Sequence, residues 1–101
     1  MNISKEQIEE IKRKALEGIH MIPGHMHDGI ILYLTQGTPQ GSFLTAVLSN
    51  DLIDAFVRAD HINSANMFNW VKYLYNYAPP SSYGSPEKVK DWLARFVSKA
   101  E

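Results

Sequence analysis

The chain has 101 residues, 45% hydrophobic and 21% charged, a composition typical of one globular domain rather than of a disordered segment. Ten Lys and Arg residues nearly balance eleven Asp and Glu residues, which argues against a protein that coats nucleic acid. The sequence has no cysteine, so disulfide bonds, thiol catalysis and cysteine-based zinc sites are excluded. No apolar stretch is long enough to span a membrane and no signal peptide opens the chain, so we expect a cytoplasmic protein.

Residues 1–22 predict a charged amphipathic helix, because apolar residues recur at helical spacing while charged residues fill the other face. Ser4 followed by Gln7 is a capping-box pattern, in which each side chain bonds the backbone N–H of the other residue. Two ion pairs are expected on the solvent face, each between residues one helical turn apart: Glu9–Arg13 and Glu10–Lys14.

Residues 23–97 predict further short helices, separated by segments that contain glycine and proline. The predicted spans are His25 or His27 to Gln36, Ser42 to about Leu48, Asp51 to about Asp60, His61 to Ala78, and a last helix after Ser85. A strand over Trp70–Tyr77 is the alternative for the aromatic segment, but no hairpin partner lies nearby. The sequence therefore predicts an all-α fold, with residues 1–101 forming a single compact domain of five or six short helices.

Apolar spacing also predicts which face each helix buries. The helix that follows Asn50, its expected cap, is predicted to bury Leu52, Ile53, Phe56 and Val57. The last helix, capped by Ser85 with Pro86 in its first turn, is predicted to bury Val89, Trp92, Leu93, Phe96 and Val97.

Basic residues are scarce in the middle of the chain, where Arg58 and Lys72 are the two that lie between Ala15 and Pro86. Arg58 is therefore the leading side chain to hold an anion there, since a guanidinium binds phosphate through paired hydrogen bonds. An ion pair with Asp54, one turn earlier, is the alternative.

The segment from Gly41 to Thr45 follows a loop and opens a predicted helix. Backbone N–H groups at a helix start, the close approach that Gly41 permits and the hydroxyls of Ser42 and Thr45 together suit a phosphate. Phe43 would stack on a base. The alternative is an N-cap role for Ser42 and a core position for Phe43, and the P-loop motif is absent.

A line of asparagines, which are mediocre helix formers, predicts a polar strip: Asn63, Asn66, Asn69 and Asn76. The strip would contact a ligand or a neighbouring subunit, or it would simply face solvent. Both interpretations place these four side chains on one face of the same helix.

His25 and His27, with Asp28 beside them, form a weak metal-site pattern that needs His20 or His61 as a third ligand. Asp28 also suits the start of a helix, so no metal is expected. The motifs GxSxG and HExxH do not occur, and we expect no catalytic residues and no enzymatic activity.

Four sequence blocks resemble those of a family of small phage- and prophage-encoded proteins. They are GSFLTAVLSNDL at 41–52, RADxxN at 58–63, YLYN at 73–76 and GSPEKVxxW at 84–92. PGHM at 23–26 and GxIxY at 29–33 fit the same family. The resemblance covers roughly residues 20–96 and leaves out the N-terminal helix.

Compact phage proteins of this kind are often inhibitors of host defence. One class, which includes the sequestins and lockins, binds nucleotide immune signals such as cyclic ADP-ribose isomers or histidine–ADP-ribose. The resemblance implies an anti-defence protein that sequesters an ADP-ribose-type or cyclic-nucleotide signal without cleaving it. It also implies a homo-oligomer, without a cofactor, in the cytoplasm of the infected bacterium.

In such a pocket, helix amides and Arg58 would hold the pyrophosphate. A base would stack on Phe43 or Tyr83, and its polar edges would bond Asn50 or Asn63. The expected ligand-binding residues are Gly41, Ser42, Phe43, Thr45, Asn50, Arg58, Asn63 and Tyr83.

Three other functions stay open. The first is an inhibitor that docks on a host protein through an exposed aromatic surface. The second is an enzyme that cleaves the signal, and the third is a transcription regulator with a helix-turn-helix around Ser49–Asp51. The scarcity of central basic residues argues against the regulator. For an oligomer, the expected seam is formed by Trp70, Tyr73 or Tyr77.

Overall fold

The computed structural model describes residues 3–97, with the backbone alone at Val97. The helices are α1 (Lys5–Glu17), α2 (His27–Gln36), α3 (Ser42–Leu48), α4 (Leu52–Arg58), α5 (His61–Ala65), α6 (Met67–Tyr77) and α7 (Pro86–Val97). Three 3₁₀ turns cover Ile19–Met21, Gly24–Met26 and Pro80–Ser82. No strand occurs in this part of the chain, so the all-α prediction is confirmed, with seven helices where five or six were expected. Among residues 3–97, no helix combines the length and the apolar character needed to cross a membrane.

The capping box at the start of α1 is present as predicted. Ser4 Oγ accepts a hydrogen bond from the Gln7 N–H at 3.1 Å, and Gln7 Oε1 accepts one from the Ser4 N–H at 2.8 Å. The helix ends at Glu17, earlier than predicted, and a 3₁₀ turn follows. A Cβ at Gly18 would overlap the ring of Tyr77, so a glycine at this position lets α1 approach α6 closely.

The ion pairs on α1 differ from the prediction. Arg13 pairs with Glu10 at 2.6 Å and with Glu17 at 2.8 Å, so the expected pairs Glu9–Arg13 and Glu10–Lys14 are wrong. One guanidinium reaches carboxylates on both sides along the helix, and its hydrogen bond to Glu10 lowers the pKa of that carboxyl. All three side chains are more than half exposed, so the cluster contributes little to stability.

The turn between α3 and α4 closes through the backbone of Asn50, which takes a left-handed conformation with φ 63°. The Asn50 N–H donates to the Val47 carbonyl at 3.1 Å, and the Asp51 N–H donates to the Ala46 carbonyl at 2.9 Å. This pair of bonds is a Schellman motif, in which asparagine often takes the left-handed position. The side chain of Asp51 then accepts from the Asp54 N–H at 3.1 Å, so Asp51 caps α4 and the predicted Asn50 cap is wrong.

The outer face of α4 overturns the prediction for that helix. The four residues predicted to be buried are exposed: Leu52 by 64%, Ile53 by 78%, Phe56 by 47% and Val57 by 75%. The buried residue of α4 is instead Ala55. The prediction failed because α4 packs on α3 with only Ala55 buried, so the wide apolar stripe of the helix faces solvent.

The predicted helix His61–Ala78 is broken at Asn66 into α5 and α6. At Asn66 the backbone leaves the helical region, with φ −114° and ψ 16°, and the side-chain amide donates to the Ile62 carbonyl at 2.8 Å. The strand alternative for Trp70–Tyr77 is excluded, since these residues lie within α6.

The last helix begins as predicted. Ser85 Oγ accepts from the Lys88 N–H at 3.1 Å, and Pro86 is the first helical residue. The predicted inner face is observed for the buried or half-buried residues Val89, Trp92, Leu93 and Phe96. The side chain of Val97, predicted to share this face, lies outside the described residues.

Three buried aromatic side chains join distant segments of the core by hydrogen bonds. Tyr33 Oη donates to the Ser82 carbonyl at 2.7 Å, and Tyr73 Oη donates to the Ala15 carbonyl at 2.9 Å. Trp92 Nε1 donates to the Tyr33 carbonyl at 3.0 Å. Burial raises the pKa of both tyrosines well above its usual range. Because Ala15 belongs to α1, the N-terminal helix packs into the same core as the later helices.

Candidate functional site

Two adjoining clefts lie beside Arg58, with volumes of about 290 and 410 Å³. Of the eight predicted ligand-binding residues, six line them. The first cleft contains Gly41, Ser42, Phe43, Arg58 and Asn63, and the second contains Ser42, Thr45 and Arg58. The fold therefore brings together three segments that are separate in the sequence.

Asn50 and Tyr83 lie outside both clefts. The backbone of Asn50 closes the turn after α3. Tyr83 follows the 3₁₀ turn Pro80–Ser82, and burial raises the pKa of its phenol. The structure therefore does not bring these two residues to the same place as the other six.

Arg58 forms the ion pair with Asp54 that is the alternative to a phosphate site. Its Nε donates to both oxygens of the Asp54 carboxylate, at 3.1 and 3.0 Å. The two side chains are 50% and 41% exposed, so the pair adds little to stability. The local partner of Arg58 is therefore a carboxylate of the same helix.

Carboxylates outnumber cationic side chains around these clefts. Asp60 lines the first cleft, Asp51 and Asp54 line the second, and Arg58 is the one Lys or Arg among the described residues that line them. In addition, α3 has only seven residues, so few peptide dipoles add up at its start. The charge around the clefts therefore opposes a pyrophosphate.

Phe43 and Asn63 are part of the core. Phe43 is 9% exposed, and its ring meets that of Trp70 edge-on, with centroids 6.0 Å apart. Asn63 is 3% exposed, and its Oδ1 accepts from Trp70 Nε1 at 3.1 Å. The core position that is the alternative for Phe43 is therefore observed, while the N-cap of α3 is Gly41 rather than Ser42.

The asparagines do not form one strip, because α5 and α6 are separate helices. Asn63 is buried, and Asn69 Nδ2 donates to Asn66 Oδ1 at 3.0 Å. Asn76 is exposed, and its Nδ2 donates to the Lys72 carbonyl at 2.9 Å. The solvent-facing interpretation is therefore right for Asn76 and wrong for Asn63.

The two histidines near α2 bond to different groups. His25 Nε2 lies 3.0 Å from Asp60 Oδ2, and His27 Nε2 lies 2.9 Å from the Ile22 carbonyl oxygen. A hydrogen bond from the Asn63 N–H, and to a smaller degree one from His25, lowers the pKa of Asp60. Within residues 3–97, no three side chains of the metal-ligating types come together.

Helices α3 and α4 pack against each other across a three-residue turn, Ser49–Asp51, where the helix-turn-helix was considered. A DNA-binding motif of this kind presents polar and basic side chains of its second helix to the major groove. The exposed face of α4 is apolar instead, as described above. This chemistry is unsuited to a charged groove.

The outer face of α6 is a surface that sequence reasoning missed. Phe68, Val71 and Tyr75 are 72%, 60% and 79% exposed, and the Lys72 ammonium lies 5.3 Å from the centroid of the Phe68 ring. These residues recur three and four positions apart and so share one face. The spacing was visible in the sequence, since Phe68, Val71 and Tyr75 recur at helical intervals. The polar residues of α6, which are Asn69, Lys72 and Asn76, lie between this face and the buried one.

The opposite face of α6 contains the aromatic residues that were predicted as an exposed seam. Trp70 and Tyr73 are fully buried, and Tyr77 is half-buried beside Tyr73 with ring centroids 5.8 Å apart. The prediction of a seam at these residues is therefore wrong. The Trp70 Nε1 and Tyr73 Oη atoms both donate hydrogen bonds inside the core, so these two side chains can lie on the buried face of α6.

A third cleft, of about 630 Å³, lies between α1 and α7 and is lined in part by Ile3, Glu6 and Trp92. Arg95 lies over the Trp92 ring, 5.0 Å from its centroid, and donates to Ser81 Oγ at 3.3 Å. No sequence motif pointed to this cleft, because its walls come from opposite ends of the chain.

Comparison with family models, with curated proteins and with solved structures finds no match for this chain. The resemblance to phage proteins therefore stays a prediction from the sequence blocks.

The described residues thus present two chemically different kinds of surface. The clefts beside Arg58 are small, and the side chains of Arg58, Asp60 and Asn63 are already bonded to other protein groups. The outer face of α6 is apolar and aromatic, with one ammonium group. Surfaces of the second kind are typical of protein interfaces.

Proposed function

We propose that this protein is a binding domain that docks on another protein through the outer face of α6. Following the resemblance to phage proteins, we propose an inhibitor of a host protein in the cytoplasm of the infected bacterium. The observation that supports the proposal is the exposed row formed by Phe68, Val71 and Tyr75. Contiguous rows of large exposed apolar side chains are typical of protein–protein interaction sites.

The residue types on this face suit a protein partner. Aromatic side chains are enriched among the residues that dominate binding energy, because they bury a large area with few rotatable bonds. Lys72 is the charged residue on this face of α6, and it lies over the Phe68 ring. We therefore expect a partner surface with an apolar groove and a carboxylate that meets Lys72.

The test begins with a photo-crosslinking amino acid at Val71 and bacterial lysate, followed by purification of the captured protein and titration against defined variants. Phe68→Asp and Tyr75→Asp place a charge within the interface, and each is expected to weaken binding by about a hundredfold. The control is Leu16→Asp on α1, which places the same charge at an apolar residue that is 47% exposed. It is expected to bind like the wild type.

Circular dichroism checks that every variant keeps its helical content. Equal affinity of the Phe68→Asp and Tyr75→Asp variants and the wild type would contradict the proposal. An equal loss in the Leu16→Asp variant would also contradict it, since binding would then not depend on α6.

Sequestration of a nucleotide-derived signal is the second candidate function. It is supported by the convergence of Gly41, Ser42, Thr45 and Arg58 on two adjoining clefts. The acidic surroundings oppose it, and for this reason it ranks below protein binding. The resemblance to phage proteins also implies that a protein with this function would form a homo-oligomer.

Isothermal titration with ADP-ribose and with cyclic nucleotides tests this second candidate. Binding that is lost in Arg58→Ala and kept in Lys72→Ala would support it, because both variants remove one exposed cation. The bound ligand is then released by heating the complex and identified by chromatography. An unchanged ligand identifies sequestration, whereas a changed product identifies a signal-cleaving enzyme. Absence of heat with every nucleotide eliminates both.

A further inference from the structure

A second apolar face, on α4, carries no charged side chain. Leu52, Ile53, Phe56 and Val57 lie on one side of the helix, within about 140° at 100° per residue, whereas the buried Ala55 lies outside this arc. These four residues are called the α4 face below.

The composition of the α4 face differs from that of α6. It consists of aliphatic residues and one phenylalanine, whereas the α6 face contains a lysine and a tyrosine. Interfaces between copies of one chain are more apolar and poorer in charge than interfaces between proteins that also exist apart. We infer that the α4 face is covered by a second copy of this chain, so that the two α4 helices pack across a two-fold axis.

The area of the α4 face fits this occupant. With ~100–200 Å² for a fully exposed side chain of this size, and with exposures between 47% and 78%, the four residues present roughly 400 Å² of apolar surface. Homodimer interfaces are about 65% apolar, so this patch corresponds to about 600 Å² in total from each protomer. The two protomers together then bury about 1,200 Å², the lower end of the range for specific interfaces.

A two-fold axis also explains why one face is sufficient. In such an interface the same patch serves both protomers, so an apolar face meets its own copy and no second complementary surface is required. The dimer uses a different helix from the proposed partner site on α6, so either can fail without the other.

The first experiment is sedimentation velocity on the full chain at protein concentrations between about 1 and 200 µM, a range in which a dimer of micromolar dissociation constant forms. The expected result is a species of twice the 11.5 kDa chain mass. Ile53→Glu and Val57→Glu are each expected to raise the dimer dissociation constant by about thirtyfold or more, while helical content is kept because both side chains face solvent in the monomer. Phe68→Glu on α6 is the matched control and is expected to remain dimeric.

A second measurement tests the two-fold geometry directly. Because the chain has no cysteine, Ile53→Cys introduces a single thiol. Under mild oxidation this variant is expected to form an intermolecular disulfide much faster than Phe68→Cys. A wild type that stays monomeric at 200 µM, equal dissociation of the Phe68→Glu control, or equal crosslinking at both positions would overturn the dimer. Partner capture through α6 in the Ile53→Glu variant shows whether the proposed function stands by itself.

Discussion

The side-chain oxygen of Asn63 accepts a hydrogen bond from the indole nitrogen of Trp70 over 3.1 Å, and both residues are buried. Trp70 in turn meets the Phe43 ring edge-on. Asn63 therefore satisfies the one polar atom of the largest side chain in α6. Among the described side chains, no buried nitrogen or oxygen lacks a hydrogen-bond partner.

Asn63→Ala is expected to destabilise the fold, because it leaves the Trp70 N–H buried without an acceptor. The expected loss is about 1–3 kcal/mol of unfolding free energy, measured by urea titration. Asn76→Ala is the matched control: Asn76 is exposed, so the change is expected to stay within about 0.5 kcal/mol. Equal effects in the two variants would show that the bond to Trp70 carries no stability.

Tyr73→Phe is expected to separate a hydrogen bond from packing. It removes the 2.9 Å bond from Tyr73 Oη to the Ala15 carbonyl while the ring stays in place between α1 and α6. The expected loss is about 1–3 kcal/mol, since the carbonyl is left without this donor in the core. Tyr75→Phe, at a residue that is 79% exposed, is expected to be nearly neutral, and urea titration compares the two.

Stability is expected to fall at alkaline pH. In the unfolded chain tyrosine titrates near pH 10, whereas burial raises the pKa of Tyr33 and Tyr73 in the folded protein. Above about pH 10 the folded state therefore binds more protons than the unfolded state, so the unfolding free energy decreases as the pH rises. Below that pH the two tyrosines contribute no pH dependence.

The alkaline slope from these two tyrosines approaches about 2.7 kcal/mol per pH unit, or about 1.4 for each. Urea titrations between pH 8 and pH 11.5 measure it, and Tyr73→Phe is expected to remove about half. Asn76→Ala, which removes no ionisable group, is expected to leave the slope unchanged. If Tyr73→Phe also left it unchanged, the titration of Tyr73 would not be coupled to unfolding.

Helix ends were predictable from the sequence where the signal is local. The capping box at Ser4, the cap at Ser85 and the proline at position 86 act within one helical turn, and all three are observed. The break at Asn66 was not predicted, because the apolar pattern of α5 continues into α6. A single asparagine carries too weak a helix preference to mark the break.

Which face a helix buries depends on distant residues, and here the predictions failed. On α4 a single small residue, Ala55, packs inward, while on α6 both sides are apolar. Residue spacing identifies the apolar stripe of a helix but not the element that packs on it.

The same limit applies to the clefts. The ion pair between Arg58 and Asp54 was predictable because the two residues are one helical turn apart. The hydrogen bond between His25 and Asp60 joins residues 35 positions apart and could not be predicted.

Substitutions at Asn50 test whether this residue shapes the backbone turn or binds a ligand with its side chain. Its left-handed φ of 63° is strained for most residues but easy for glycine, so Asn50→Gly is expected to keep or slightly raise the unfolding free energy. Asn50→Ala is expected to lose about 1 kcal/mol, because alanine keeps the Cβ that strains this conformation and lacks the short polar side chain with which asparagine tolerates it. Urea titration measures both variants, and each is then titrated with ADP-ribose and cyclic nucleotides. If a nucleotide bound the wild type and not the stable Asn50→Gly variant, the side chain would contact the ligand, and the backbone role would not suffice to explain an asparagine at this turn.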